Sequence, residues 1–469
     1  MNLSNYLDFK NLQNKSFKKI FFYRICGTGM GAAACLLKEA GFDVSGADSM
    51  FYPPMSTYLE TSGIKISTID KLDFKTLKSE YDLIVVGNVV AGSSQEAREI
   101  EECGVPFTSF PTAIGALVLN KKTVIGLSGT HGKTTTTYLG AQVFEKLGED
   151  CGYLIGGVMN GRPPSRLGKS PLFFIESDEY DSAYFEKFSK FQSYCVNHFV
   201  ITSLEFDHAD IFSSIEDIKN EFRKVIPTTS SVVGCSDWPE IISLRDQFKE
   251  HQWQDYGKNN IHIIERSEFG TKFKIEDETY KTNLVGDHNI YNLSSIILIA
   301  KELGYTKEKI DLAITELLLV KRRQEERGNY RGAIVIDDFA HHPTAVRETL
   351  KAVMTKYPKK KINAFLEPGS ATARSDIFQA EFLDALKDAS AVTIIKPQRP
   401  TTAKGRGDLD VTLIATKLNE IGIDASCVVT LEQLQERIDN LSSEENVHLI
   451  MSNSSTLGLW SSDFVKNIN

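Results

Sequence analysis

Short apolar runs alternate with segments of helical period along the whole chain. Lys19–Ile25 (KIFFYRI) reads as a buried strand, Ala33–Ala40 as a helix, and Val44–Asp48 as a second strand ending in an acid. Strands at Leu83–Gly87 and Val105–Thr108 complete a small sheet by about Leu119, and the turn Asn120-Lys121-Lys122 marks a boundary. Lys122–Leu127 is a β-branched strand, and from Thr134 to Lys146 apolar residues fall at helical spacing. Leu172–Ile175 delivers the acidic run Glu176-Ser177-Asp178-Glu179-Tyr180-Asp181, and Phe199–Ser203 leads into Leu204-Glu205-Phe206-Asp207-His208-Ala209-Asp210.

From about Ser230 to Leu284 the runs shorten and alternate, which predicts an antiparallel patch. A helical stretch with Asp287-His288-Asn289-Ile290-Tyr291-Asn292 at its head and Lys321-Arg322-Arg323 at its tail closes this block. Beyond about Gly328, strands at 333–338, 362–368, 391–397, 427–430 and 447–453 alternate with helical segments. That alternation predicts a mostly parallel sheet with ligand groups at the strand carboxyl ends. The pattern as a whole predicts an α/β protein of three domains, at 1–119, 120–326 and 327–469.

Two turns in this frame carry phosphate chemistry. Gly27, Gly29 and Ala32 satisfy G-x-G-x-x-[G/A] directly after the first strand, with Gly31 inside the turn and Asp48 at the end of the next strand. This is a Rossmann-like diphosphate site that does not by itself specify the base. The second turn, SGTHGKTTTT at 128–137, joins a strand to a helix. Its Gly132-Lys133-Thr134 is that of a P-loop, yet Leu127 stands where the strict pattern has glycine. Amides at the helix start favour a polyphosphate, Lys133 neutralises its oxygens, and the Thr134 hydroxyl suits Mg²⁺.

Composition narrows the class. The chain has 469 residues, 41% of them hydrophobic and 25% charged, and a net charge of −9. That balance speaks against non-specific nucleic-acid binding. No apolar segment reaches membrane-spanning length, and the polar start lacks a secretory pattern, so a cytoplasmic protein without a membrane partner is expected. Seven cysteines without a C-x-x-C pair argue against a zinc site or a disulfide framework.

A dehydrogenase has no use for Lys133-Thr134, and a simple ATPase leaves Gly27–Gly31 unexplained. An enzyme that joins a nucleotide-linked substrate to a second compound at the expense of ATP needs both. Glu176 and His208 are then candidate metal ligands, against the readings of a solvated acidic strand end and a structural loop histidine. His341 and His342 are either site residues or turn residues before Pro343, and Arg322-Arg323 either site residues or a basic helix end. A nucleotide sensor without catalysis and an NAD-dependent oxidoreductase are the rival classes.

The loop Gly129-Thr130-His131-Gly132-Lys133-Thr134 matches the shortened G-T-x-G-K-[TS] form of the Mur ligases of bacterial cell-wall synthesis, and the chain resembles that family from about Gly27 to Gly458. The resemblance implies an N-terminal Rossmann-like domain holding a UDP-sugar, a central P-loop domain binding ATP, and a C-terminal Rossmann-like domain bringing the amine. Tyr52-Pro53-Pro54-Met55-Ser56, Glu179-Tyr180-Asp181, residues 204–212, residues 337–345 and Leu366-Glu367-Pro368 are most similar to the murein peptide ligase branch. That branch couples UDP-N-acetylmuramate to the L-Ala-γ-D-Glu-meso-diaminopimelate tripeptide in peptidoglycan recycling. The alternative is the branch that adds L-alanine in peptidoglycan synthesis.

By the same resemblance Lys133 contacts ATP, Thr134 and Glu176 share one Mg²⁺, and His208 serves a second metal. Asn289 and Asn292 lie near the adenine or the catalytic cleft. Arg323 and Asp338, with His341 and His342, belong to the nucleotide site between domains. Glu367, Ser370, Arg374 and Asn453 would meet the amine substrate. Gly369 stands where arginine is expected after Glu-Pro, and Ser454-Ser455 replace glycines. Sister ligases use a carbamylated lysine; Lys219 and Lys224 both follow His208, and neither is assigned. The implied reaction passes through an acyl phosphate, with domain closure excluding water, in a monomer or weak homo-oligomer. Asp338 or a bound water would be the base.

Overall fold

The computed structural model describes residues 2–469 except Tyr52, Val158 and Asn160, so Tyr52 of the 52–56 phrase lies outside the described residues. The chain divides into two compact units. One holds Met1–Glu205, Glu216–Gly257 and Ser295–Ala313; the other holds Phe206–Ile215, Lys258–Ser294 and Ile314–Asn469.

The first unit carries two parallel sheets. Strands β1 (Lys19–Tyr23), β2 (Asp43–Asp48), β3 (Lys65–Thr68), β4 (Leu83–Val86) and β5 (Phe107–Ser109) run in the order β3-β2-β1-β4-β5, all parallel. The order reverses between β1 and β4, and a crevice at such a switch point is where open α/β sheets take ligands. The second sheet has β6 (Thr123–Ser128), β7 (Gly152–Leu154), β8 (Ser165–Arg166), β9 (Leu172–Glu176), β12 (Val196–Ile201), β13 (Ser231–Cys235) and β14 (Trp253–Tyr256). Its order is β14-β13-β12-β6-β9-β7-β8, and β8 alone is antiparallel. Central strands such as Leu83–Val86 are buried throughout, as expected where both faces are covered.

A hairpin of β10 (Asp181–Ala183) and β11 (Glu186–Ser189) ties the two sheets together. Its Tyr184 is buried in the apolar core of the first sheet with Phe21, Ile84 and Phe107, and Phe185 meets the Phe107 ring at 5.1 Å. Burying a side chain of this size contributes about 1.5–3 kcal/mol. The next residue, Glu186, is 1% exposed and accepts hydroxyl hydrogen bonds from Tyr6 (2.9 Å), Ser109 (2.5 Å) and Thr112 (2.9 Å). Burial pushes its carboxyl above the usual range despite those donors.

The second unit holds an antiparallel sheet of β15 (Ile261–Ser267), β16 (Gly270–Ile275) and β17 (Glu278–Thr282). It also holds a six-stranded sheet of β18 (Glu325–Tyr330), β19 (Ala333–Asp338), β20 (Lys361–Glu367), β21 (Ala391–Ile395), β22 (Asp424–Val428) and β23 (Asn446–Ser452). The order is β18-β19-β23-β20-β21-β22, parallel except for β18. Ile336, Leu366, Ile394 and Leu449 build the core on one face, and Val335, Phe365, Ile395 and Ile450 the other.

Three expectations are corrected. The antiparallel patch begins at Ile261, because the fully buried run Ser231–Cys235 and its neighbour β14 are parallel strands of the sheet that contains β6. The helical stretch ends at Glu302, with a separate helix Lys307–Ala313, so Lys321-Arg322-Arg323 is not a helix tail. It lies in a turn where Arg322 (φ 57°) and Gln324 (φ 51°) are left-handed. Finally, Gly328 lies inside β18, an edge strand whose charged sequence hides its pairing.

Candidate active site

In the first unit, Gly27 N-caps the helix Thr28–Glu39 without a side-chain cap, at the β1/β4 switch. A Cβ on Gly27 would meet none of the described residues within 4 Å, so among them the space before this helix is open. Gly29 and Gly31 are closely packed: Cβ atoms there would fall 3.2 Å from the Phe110 ring and 2.2 Å from the Met55 sulfur. Asp48 accepts from the Cys26 amide (2.7 Å) and the Ser49 amide (2.7 Å), tying the end of β2 to the glycine turn. Arg24, which sequence reasoning passed over, adopts φ 68° and bonds the Ser49 hydroxyl (2.6 Å) and the Glu96 carboxylate. A left-handed arginine costs about 1–2 kcal/mol, and no residue type in the sequence signals it.

The second loop explains Leu127. Strand β6 runs through Ser128, and Leu127 lies fully buried in it, paired with Val200 and Glu176, so no glycine is needed there. The turn itself is 129–132, where Gly129 (φ 126°) and Gly132 (φ 85°) are left-handed. A Cβ on Gly129 would sit 2.6 Å from the Ser203 carbonyl oxygen. Ser203 also receives the amides of Thr130 (to its carbonyl, 3.2 Å) and His131 (to its hydroxyl, 2.8 Å). The His131 ring meets Glu205 at 2.7 Å.

Lys133 opens the helix Lys133–Lys146 and turns its ammonium back across the turn, to the Gly129 carbonyl (2.7 Å) and Glu179 (2.9 Å). Burial works against that charge, and the carboxylates of Glu179 and Asp178 more than offset it, holding the ammonium above its ordinary range. The Thr134 hydroxyl donates to Glu176 (2.7 Å), whose other oxygen accepts from the Gly156 amide (2.8 Å). Thr134 and Glu176 thus stand together as hard oxygen donors of the kind Mg²⁺ takes. Lys219 is ion-paired with Glu240 (2.8 Å) and Lys224 with Glu221 (2.7 Å).

In the second unit, His208 has φ 56°, and its amide donates to Asp207 (2.7 Å). Burial works against the Asp207 charge, but the imidazoles of His208, His342 and His341 hold its carboxyl well below the usual carboxylate range. Asn289 is buried and donates to the Val285 carbonyl (2.8 Å), with Asn292 one turn on and also buried. Asp338 accepts from the amides of Gln324 (2.7 Å) and Ala340 (2.7 Å), so both its oxygens organise the turn around Arg323, whose guanidinium lies 5.1 Å from the Phe339 ring centre. His342 N-caps the helix Pro343–Lys356, and the His341 ring bonds the Phe339 carbonyl (2.9 Å). Beside Asp338, burial pushes Asp337 up to about 6 against the opposing charges of Arg322 and Arg327.

At the carboxyl ends of β20 and β23, Glu367 is buried and accepts from the Ser452 hydroxyl (2.6 Å) and the Thr456 amide (2.7 Å). Ser370 caps the following turn through the Ala373 amide (3.1 Å). Arg374 Nε and Asn453 Oδ1 are buried without a hydrogen-bond partner among the described residues. A Cβ on Gly369 would fall 2.2 Å from that Asn453 oxygen.

Family models match nearly end to end. The Mur ligase family catalytic domain matches residues 19–122, the Mur ligase middle domain 127–300, and the Mur ligase glutamate ligase domain 322–454. A UDP-N-acetylmuramate–L-alanyl-γ-D-glutamyl-meso-2,6-diaminoheptandioate ligase of Escherichia coli is 34% identical over 81% of this chain and 85% of its own. The Haemophilus influenzae ligase of the same name is 36% identical over 81% and 86%. The crystal structure of a murein peptide ligase from Psychrobacter arcticus superposes with a TM-score of 0.68, at 26% identity, over 96% of this chain and 99% of that one.

Proposed function

Because the chain belongs to the Mur ligase family, we propose that it joins UDP-N-acetylmuramate to the tripeptide L-Ala-γ-D-Glu-meso-diaminopimelate, using ATP. The observation that carries the ATP chemistry is the Thr134–Glu176 pair beside Lys133 on a turn that opens a helix. The lactoyl carboxylate attacks the γ-phosphorus of ATP, ADP leaves, and an acyl phosphate forms. The peptide amine, having lost a proton, then adds to the acyl carbon, and the tetrahedral species collapses with loss of phosphate.

Lys133 neutralises the phosphate oxygens, and the turn amides orient them. Thr134 and Glu176 would hold Mg²⁺, and His208 is proposed as a ligand of a second divalent ion. When bound, such ions offset repulsion between carboxylate and phosphate. Gly27 and its helix start would take the UDP diphosphate. Asn289, Asn292, Arg323, His341 and His342 are assigned to the nucleotide, and Ser370, Arg374 and Asn453 to the peptide. The asparagine oxygen and arginine Nε left unpaired at that strand end support the last assignment. This reading sets the enzyme in the cytosol, recycling wall peptides.

The test offers L-alanine and the tripeptide together, with UDP-N-acetylmuramate and MgATP. The UDP-linked product is then identified by mass. Tripeptide product with stoichiometric phosphate release supports the proposal; a predominantly L-alanine product moves the enzyme to the L-alanine-adding branch.

A further inference from the structure

Glu179 has a place in this site that neither the loop motif nor the paired oxygen donors require. It is 3% exposed, and both its oxygens are committed. Oε1 accepts from the Ser128 hydroxyl (2.9 Å) and the Gly129 amide (2.8 Å); Oε2 accepts from the Lys133 ammonium (2.9 Å). One carboxylate therefore grips the first residues of the turn and the cation at its end. Its own backbone is held as well, since the Ser189 hydroxyl donates to the Glu179 carbonyl (2.5 Å). The neighbouring Asp178 lies 3.9 Å from Lys133 and pairs with Lys190.

We propose that Glu179 is a positioning residue of the phosphate loop, a built-in counter-ion that aims Lys133 across the turn and is exchanged for phosphate oxygens when the nucleotide binds. An ammonium has three donors, and here two are used, on Gly129 and Glu179. A triphosphate arriving at the turn competes with Glu179 for Lys133 and also meets its negative charge. The carboxylate thus keeps the loop in its binding shape and weakens nucleotide affinity at the same time, which favours release of ADP after turnover. The inference rests on the ATP reading of this loop.

The two roles separate by substitution. Glu179→Gln retains an oxygen for Ser128 and Gly129 but removes the charge; Glu179→Ala removes both. ADP affinity, measured by calorimetry on the full chain, is expected to tighten on the order of tenfold in Glu179→Gln, the scale of one nearby unit charge in a partly screened site. In Glu179→Ala it is expected to fall below that of Glu179→Gln by about tenfold, because the Gly129 amide loses its acceptor. In steady state Glu179→Gln should lower KM for ATP more than it changes kcat/KM for UDP-N-acetylmuramate. Equal ADP affinity in Glu179→Gln and the unaltered protein, or weaker binding by Glu179→Gln, overturns the inference. Absence of ADP binding by the unaltered protein would remove the ATP reading, and this inference with it.

Discussion

Asn453 holds its side-chain oxygen where a β-carbon on residue 369 would have to be, 2.2 Å from the ideal position. A larger residue at 369 is therefore accommodated only if the Asn453 side chain moves aside. Gly369→Ala is expected to cost about 1–2 kcal/mol as an overpacked site, read as a lowered Tm. In an Asn453→Ala background the same change should cost less, and a double-mutant cycle measures the coupling. Full additivity would show that the two positions do not press on each other.

Removing the Lys133 ammonium takes away the cation of the turn. Lys133→Ala is expected to lower kcat by about 10²–10³-fold, the loss typical of one preorganised charge donor. Near-normal phosphate release would exclude the assignment.

As proposed ligands of Mg²⁺, Glu176 and Thr134 make a specific demand on the metal titration. In Glu176→Gln the Mg²⁺ concentration giving half-maximal activity is expected to rise about tenfold or more, with a loss of stability of about 1–3 kcal/mol, because the amide keeps one acceptor for Thr134 but leaves the Gly156 amide without its own. An unchanged Mg²⁺ titration would make the carboxylate a structural partner of Thr134 only.

Gly27→Ala separates the two proposed nucleotide sites. The new methyl enters open space, so stability should change by no more than about 1 kcal/mol, the difference between Gly and Ala at an N-cap. Affinity for UDP-N-acetylmuramate should fall about tenfold while ADP binding persists, since backbone must approach a diphosphate closely here. Parallel loss of both ligands would indicate a damaged fold.

Asp337 yields a pH signature. Its folded pKa, about 6, lies above the ordinary 3.8, so in the window between them the folded state holds a proton that the unfolded state has released. Stability from this group is present below about pH 4 and is lost as pH rises through 6. Asp337→Asn cannot lose it. The unfolding free energy of the variant, minus that of the unaltered protein, should grow by about 2 kcal/mol between pH 4 and 6.5 and then level off. A flat difference would show that the carboxylate is not raised.

Local chemistry is what the sequence made readable. Lys133 and Thr134 follow glycine at a strand-to-helix turn, and Glu176 ends an apolar strand, so their placement follows from neighbours in the chain. Glu179 sits in the same acidic run but beyond the strand, where no period says which way a side chain points. Arg322 and Gln324 adopt left-handed backbone without being glycine, and nothing in residue type announces that. The edge strand Glu325–Tyr330 is mostly polar and only partly buried, the usual dress of an edge, so its alternation was invisible. The buried run Ser231–Cys235 was visible as a strand, but its direction depended on partners at His198–Ile201 and Trp253–Tyr256.

The hairpin β10–β11 has a bearing on how this protein could be cut or recombined. Tyr184 and Glu186 come from the middle of the chain, yet they complete the core and the hydroxyl cluster built around Tyr6, Phe107, Ser109 and Thr112. A fragment ending at Leu119 would carry an open apolar socket, and its remainder would carry an unburied aromatic plug. Chimeras that exchange the first 119 residues between relatives should therefore fold poorly unless residues 181–189 travel with them, so the unit of exchange is discontinuous in sequence.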